Sequence, residues 1–379
     1  MMTKTKTKNG NPRLRVGLIG CGGIATAHAT AYKRLGPDVA TVVATADVVE
    51  ELAERRAAEL GAQHWSSDYR AVLTNPAVDA VDICLPHHLH AEVTIAAAQA
   101  GKHILVEKPM AISMGECQAM VTAAEQAGVT LMVAQVQRYE PSYRGVRRLI
   151  ETGEFGQIRA VRFDSMQNLH AILPPGHWLY DGALAGGGIV ISVSVHRIDL
   201  MRYLVGDVER VTALCRPGDP PYKNGAEDYA SAILQFTNGA VGEHFATYSG
   251  FRMPYSESFM IFGDDGAVHA LPELGTSRGP AFYATRRHDG APEKVQGWAR
   301  MFTGFLPVEP DREGLLTDDG FTNEIAHFAE CCRSGEPSLS SGRDNLVQLH
   351  VKQVRKSGGE GTVVGHVLTG RHDLGDGLA

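Results

Sequence analysis

Between Leu14 and about Leu131, short apolar runs alternate with longer stretches in which apolar residues return every three or four positions. The first pattern is that of a strand buried on both faces and the second that of an amphipathic helix; their alternation is the signature of βαβ units around a parallel sheet. "LRVGLIG" (14–20) predicts the first strand and "IATAHATAYKRLG" (24–36) the first helix, stopped by Gly36. A second strand over "VATVVATAD" (39–47) leads into a helix over 49–61 with its own glycine stop. Further strands are predicted at 78–86, 102–109 and 130–135, with helices at 89–101 and 113–127.

Beyond about residue 155 the period changes. "QIRAVRFDSM" (157–166), "VERVTALCR" (208–216) and the stretches 228–249 and 256–271 read as strands, with "TNG" and "DDG" as turn signals. These predict a large, mostly antiparallel open sheet in a second domain. Helical stretches at 320–334 and 342–357 are available to close the structure or to pack back on the first domain.

A chain of 379 residues is long enough to bury two cores. Its net charge of −7 gives no electrostatic reason to expect a nucleic acid or an anionic membrane as partner. The six cysteines are scattered in neither a metal-ligand nor a disulfide spacing, which predicts reduced thiols, a cytoplasmic location and no metal site. No run of about 18 apolar residues is present to span a bilayer. "MMTKTKTKNG" carries charge without a following apolar run, so residues 1–12 are expected to be a disordered tail rather than a signal peptide.

Three stretches carry chemistry. "GLIGCGGIATAH" supplies Gly20-x-Gly22-x-x-Ala25, with Gly23 as an extra glycine, directly between the first strand and the first helix. Glycine is needed where backbone turns tightly and approaches a pyrophosphate, and the helix N-terminus beyond it attracts the negative charge. Asp47 ends the second strand, where a carboxylate can accept both ribose hydroxyls of an adenosine. It lies 27 residues after Gly20; the usual spacing is ~20. No arginine follows before Arg55, and the carboxylate would repel a 2′-phosphate, so NAD is favoured over NADP. An ordinary helix-capping aspartate would occupy the same position. The domain over 13–138 is accordingly expected to be an N-terminal Rossmann domain, and 139–379 a C-terminal α/β domain for substrate binding and oligomerisation.

The second stretch comprises two strand ends, because ligands of open α/β sheets bind there. "ICLPHHLH" (83–90) breaks at Pro86 and presents His87 and His90; "HILVEKP" (103–109) ends on Glu107, Lys108 and Pro109. A lysine there can hydrogen-bond a substrate hydroxyl and stabilise developing alkoxide charge; a surface salt bridge would use the same residues. The third is "GGGIVISVSVHRIDLMRYLVG" (186–206), in which Ser192, His196, Asp199 and Tyr203 recur as a polar stripe on one helical face. A histidine held there can take a proton at neutral pH, although a satisfied core histidine fits equally.

Together, "VGLIGCGGIATAHATAY", "VDAVDICLPHHLHAEVTIAAAQAGKHILVEKPMA" and "GGGIVISVSVHRIDLMRYLVGDV" resemble the Gfo/Idh/MocA oxidoreductases, a family including glucose-fructose oxidoreductase and inositol dehydrogenase. The resemblance runs from about Arg15 to about Val364. It implies a Rossmann domain, a second domain whose open sheet forms a dimer or tetramer interface, and NAD(P)-dependent chemistry at a secondary hydroxyl of a sugar, inositol or glycoside. By motif position Lys108 matches the family's catalytic lysine and His196 its catalytic histidine. The family's helix reads GGGxLxDxGxHxID, so this chain has Ser192 in place of aspartate and Ser194 in place of glycine. Either Lys108 and His196 suffice, or the substrate is unusual, or catalysis has been lost.

On this reading a hydride passes to the nicotinamide while His196 accepts the hydroxyl proton, Lys108 orients the hydroxyl, and Ser192 relays or positions, with Lys108 and His196 sharing one cleft. Ile24, Leu85, Pro86 and Gln135 complete the cofactor-facing set with the glycines, Asp47, His87, His90, Glu107 and Lys108. Asn168, His170, His177, Trp178 and Tyr180, together with Asp199, are the substrate candidates. Three alternatives remain: an NAD-dependent glycoside hydrolase, a non-catalytic dinucleotide sensor, and a reductase of a non-sugar carbonyl.

Overall fold

Runs of Val, Ile, Leu and Ala covered on both faces make the six strands of the first sheet. In the computed structural model, which describes residues 13–250, 256–270, 282–286, 306–349 and 362–366, they are β1 (Leu14–Ile19), β2 (Ala40–Ala46), β3 (His64–Ser66), β4 (Ala80–Ile83), β5 (His103–Glu107) and β6 (Leu131–Ala134). All are parallel, in the order β3-β2-β1-β4-β5-β6. The connecting helices are α1 (Ala25–Leu35), α2 (Glu50–Leu60), α3 (Tyr69–Leu73), α4 (His90–Gln99) and α5 (Met114–Ala127). This is the doubly wound arrangement expected from the sequence. β3 and α3 were not foreseen, because three and five residues are too short to establish a period.

Register fixes what leaves the sheet together. Ile19 pairs with Ile83 and Ile83 with Val106, so the three strands end level. Gly20, Leu85 and Glu107–Lys108 therefore emerge along one edge, the carboxyl end where such sheets bind ligands.

The second sheet has nine strands: β7 (Ile158–Met166), β8 (Val208–Pro217), β9 (Glu227–Phe236), β10 (Val241–Thr247), β11 (Ser256–Gly263), β12 (Gly266–Ala270), β13 (Phe282–Arg286), β14 (Leu306–Pro307) and β15 (Thr362–His366). Their order is β14-β13-β12-β11-β7-β10-β9-β8-β15, antiparallel except for the β7–β10 pair. Its helices are α6 (Pro141–Glu151), α7 (Leu169–Ile172), α8 (Gly182–Ala185) and α9 (Val195–Val205). Alternate strand residues such as Phe163, Leu234, Phe259 and Ile261 pack in one core with Val146 of α6 and Leu200 and Leu204 of α9. The opposite parity leaves Leu214, Ile233, Val241 and Phe262 exposed.

The late helices are α10 (Gly320–Ser334) and α11 (Gly342–Leu349). The predicted helix over 342–357 is seen as far as Leu349; its remainder and the N-terminal tail lie outside the described residues. Two compact units result. The first takes in the chain up to Ala111, Gly115–Val136 and Asp319–Arg343, and so includes α10, whose Phe321 ring lies 5.5 Å from that of His28. The second takes in Ile112–Met114, Gln137–Asp318 and the chain from Asp344. The helical run Gly182–Val205 is long and apolar enough to cross a membrane, but 78% of its apolar window is buried inside the fold.

Candidate active site

Gly20 has φ +90°, and a Cβ there would stand 2.3 Å from the Cys84 carbonyl oxygen, so the turn from β1 into α1 requires glycine. At Gly22 and Gly23 an added Cβ would meet nothing within 4 Å, which leaves the outer side of the loop open. Ile24, 39% exposed, precedes α1 without offering a side-chain cap, and buried Ala25 allows the helix to approach the sheet. An open glycine turn against an uncapped helix start fits a pyrophosphate.

Asp47 completes this end. One carboxylate oxygen accepts the Cys21 backbone N–H at 2.8 Å and the other that of Val49 at 2.9 Å. Each oxygen keeps a second lone pair for a ligand hydroxyl. Val49 is the N-cap of α2 and that helix has no side-chain cap, so Asp47 is not its capping residue; the bond to Cys21 instead holds the carboxylate beside the glycine loop.

At the later strand ends the sequence expectations divide. Leu85, Pro86 and Lys108 are half-buried at the edge, while His87 and Gln135 are almost wholly enclosed. His90 and Glu107 are both buried, with their side chains bonded within the protein. His90 is fully buried, with Nδ1 2.8 Å from the Pro109 carbonyl and Nε2 2.8 Å from that of Leu85, so it staples two strand-end turns together. Burial pushes its pKa down, against the two carbonyl oxygens that favour the charged ring. Glu107 turns inward: Oε1 meets His28 Nε2 at 3.1 Å, and Oε2 accepts the Lys108 backbone N–H at 2.9 Å. Glu107 is the last residue of β5, and Lys108, one residue past the strand end, is half-buried at the edge.

In the second unit, Gly188 admits β9: a Cβ on it would lie 1.8 Å from the Glu227 carbonyl oxygen. The helix that follows is not regular. Val190–Ser194 is π-helical before α9 begins, so the predicted stripe from Ser192 through His196 loses its i, i+4 phase. Ser192 is buried, its Oγ donates to the Gly188 carbonyl at 2.8 Å, and its hydroxyl also hydrogen-bonds the Tyr248 side chain. His196 is half-buried one residue into α9.

Asp199 and Tyr180 do not meet the substrate expectation. Asp199 is 1% exposed, and both of its oxygens accept from Arg138, at 2.5 and 2.7 Å. Arg138 also reaches Asp344 at 2.8 Å, and Arg202 reaches the same carboxylate at 3.1 Å. Burial pushes the Asp199 pKa up, against the Arg138 charge and hydrogen bonds. Tyr180 is buried in a cluster with Leu169, Ile189 and Tyr222, its hydroxyl donating to the Leu173 carbonyl at 3.2 Å. Asn168 and His177 accept backbone N–H groups at the starts of α7 and of the turn over Trp178–Tyr180. His170 stacks on Tyr180 with ring centroids 5.6 Å apart, and Trp178 is half-buried beside His177.

Comparison with known proteins places the chain. Residues 14–135 match a family model described as an oxidoreductase family with an NAD-binding Rossmann fold, and residues 143–269 match the GFO/IDH/MocA C-terminal domain. The chain is 32% identical over 330 residues to levoglucosan dehydrogenase of Pseudarthrobacter phenanthrenivorans, covering 80% of this chain and 83% of that protein. It is 29% identical over 345 residues to scyllo-inositol 2-dehydrogenase (NAD(+)) of Bacillus subtilis, covering 89% and 92%. A solved levoglucosan dehydrogenase in complex with NADH and levoglucosan shares the fold at a TM-score of 0.78 and 29% identity, over 89% of this chain and 95% of that one. The chain belongs to the Gfo/Idh/MocA oxidoreductases, enzymes of the dehydrogenase type, and its cofactor is NAD.

Sequence reasoning missed His28, Asp82 and Arg138. A usable signal was present at Asp82, an acid inside the apolar run "AVDIC" of a doubly covered strand, where it requires a buried partner. For Asp199 the geometry makes a measurable distinction. Asp199→Ala is expected to cost about 3 kcal/mol of stability in urea unfolding, because it removes two of the hydrogen bonds to the buried Arg138 and leaves it only Asp344 as a carboxylate partner. A variant of wild-type stability with only a raised KM would return Asp199 to the substrate site.

Proposed function

We propose that the protein interconverts one secondary hydroxyl and its ketone on a sugar, cyclitol or glycoside. The observation that carries this reading is Lys108, which leaves β5 level with the glycine turn after β1 and two strand spacings away, roughly 10 Å. When bound, NAD supplies the acceptor for the carbon-bound hydrogen. Lys108 donates to the reacting hydroxyl and stabilises negative charge as it develops on that oxygen. His196 takes the hydroxyl proton. Ser192, bonded to the Gly188 carbonyl and to Tyr248, contributes position rather than proton transfer. Asp47 binds the ribose hydroxyls of the adenosine, and its charge disfavours a 2′-phosphate, which selects NAD over NADP. Trp178 offers an aromatic face to the substrate, and Asn168 and His170 offer polar groups.

The choice of a polyol substrate is supported by the relatives, which are named for levoglucosan and for inositols. The exposed Leu214, Ile233, Val241 and Phe262 share one face of the nine-stranded sheet, as the pairings Thr212–Ile233, Leu214–Ser231 and Ala160–Val241 require. That face is our proposed contact in a homodimer or homotetramer. All six cysteines are free, in keeping with work in the cytoplasm.

Incubation with NAD and a panel of sugars, inositols and glycosides should produce NADH absorbance with at least one substrate. Release of free sugar without net NADH would instead indicate the hydrolase chemistry, and NAD binding without turnover a sensor. Lys108→Ala and His196→Ala should each lower kcat by ~10²–10⁴-fold while NAD still binds; unchanged turnover in both would defeat the assignment. Light scattering of the eluted protein should show a dimer or tetramer that Ile233→Glu dissociates; a wild-type monomer would remove the proposed interface.

A further inference from the structure

Five buried polar groups converge beneath the carboxyl ends of β4 and β5, all within the first unit. His28 of α1 is fully buried. Its Nδ1 lies 2.8 Å from Asp82 Oδ2 on β4 and its Nε2 3.1 Å from Glu107 Oε1 on β5. Tyr32, one helical turn on, donates to the same Asp82 oxygen at 3.0 Å, and the Cys84 thiol stands 3.6 Å from Asp82 Oδ1.

A neutral imidazole has one N–H, so one of its two carboxylate contacts would set lone pair against lone pair. The imidazolium donates to both, and charge-assisted bonds of this kind are the strong ones. Burial favours the neutral ring, but the charge and hydrogen bond of Asp82 outweigh it and raise the His28 pKa well above its ordinary value. Burial likewise opposes ionisation of Glu107, and the His28 bond and charge outweigh it and hold that carboxyl below its ordinary range. One cation between two anions is the state the geometry supports.

His28, Asp82 and Cys84 also have donor atoms within 4.8 Å of one another, the arrangement of a candidate metal site. The 2.8 Å between His28 and Asp82 is a hydrogen-bond distance, shorter than the roughly 3.3 Å that separates two ligands each 2.0–2.1 Å from a tetrahedral zinc. The cluster is hydrogen-bonded, and it leads outward. Glu107 uses its second oxygen on the Lys108 backbone N–H, and His90 holds the Pro109 carbonyl just beyond.

We propose that His28 is a positioning residue for Lys108: doubly protonated between Asp82 and Glu107, it sets the Glu107 carboxylate, which in turn fixes the backbone carrying the lysine ammonium. The role rests on the reading above of Lys108 as the group that meets the reacting hydroxyl. His28 touches neither substrate nor cofactor. It acts by narrowing the range of places the Lys108 ammonium occupies, and misplacement of a reacting group by about 1 Å can cost about 10² in rate.

The test is a double-mutant cycle on kcat in the full-length enzyme, with NAD and the polyol turned over fastest in the panel. His28→Gln keeps donors but loses the charge; it should lower kcat roughly 10–100-fold while the Kd for NAD stays within about twofold. In a Lys108→Ala background the same change should lower kcat no further. Equal losses in both backgrounds, or wild-type kcat in His28→Gln, would overturn the proposal. Should His28→Gln not fold, Glu107→Gln, which retains an oxygen for the Lys108 N–H, enters the same cycle with the same expected and contrary results. Lys108→Ala with undiminished kcat would instead defeat the reading of Lys108 itself, whatever His28 does.

Discussion

A charge without water around it persists only where fixed opposite charges replace the water, and the carboxyl edge of the first sheet is arranged around one such case. His28 belongs to the helix that begins at the glycine turn, Asp82 to β4 and Glu107 to the end of β5. The contacts among these three buried side chains tie the dinucleotide loop to the strand that delivers Lys108. The dependence runs one way: if the imidazolium is lost, two carboxylates face each other in the core, and the peptide of Lys108 loses its anchored acceptor. A feature that costs free energy to bury is thereby used to fix a geometry that apolar packing alone would leave free to vary.

The second unit solves a similar problem with different groups. Arg138, Asp199, Asp344 and Arg202 form a buried network at α9, the helix that also carries His196. The glycine run before it permits the Glu227 backbone to approach, and the π-helical turn that follows changes the phase of the helix just ahead of His196. Ser192, in that turn, is bonded back to Gly188. On the mechanism proposed above, the serine at the family's aspartate position leaves proton acceptance to His196 and stays compatible with hydride chemistry.

The parallel sheet was legible because its strands are apolar on both faces and its helices end on glycine, as α2 does at Gly61. The tight turn at Gly20 was legible because glycine is the residue that adopts it readily, and Asp47 lies at the end of the second strand bonded to that turn. The direction of individual side chains was much less so. Glu107 and Lys108 are adjacent and equally polar, and only the point at which β5 ends separates the buried carboxylate from the lysine at the edge. His90 and Asp199 carry chemistry suited to a site, yet each is consumed by partners far away in sequence: the carbonyl of Pro109 for one, the guanidinium of Arg138 for the other. The stripe through Ser192 failed for a local reason, a π-turn that a regular helical period does not anticipate.

The central claim is that Lys108 and His196 act on a single hydroxyl of a polyol. A crystal structure of the enzyme with NAD and its preferred sugar or cyclitol tests it most directly. The account predicts the Lys108 ammonium and a ring nitrogen of His196 both within hydrogen-bond reach of one substrate oxygen, about 2.6–3.2 Å. A substrate bound with either group out of reach of the carbon-bearing hydroxyl next to the nicotinamide would contradict it.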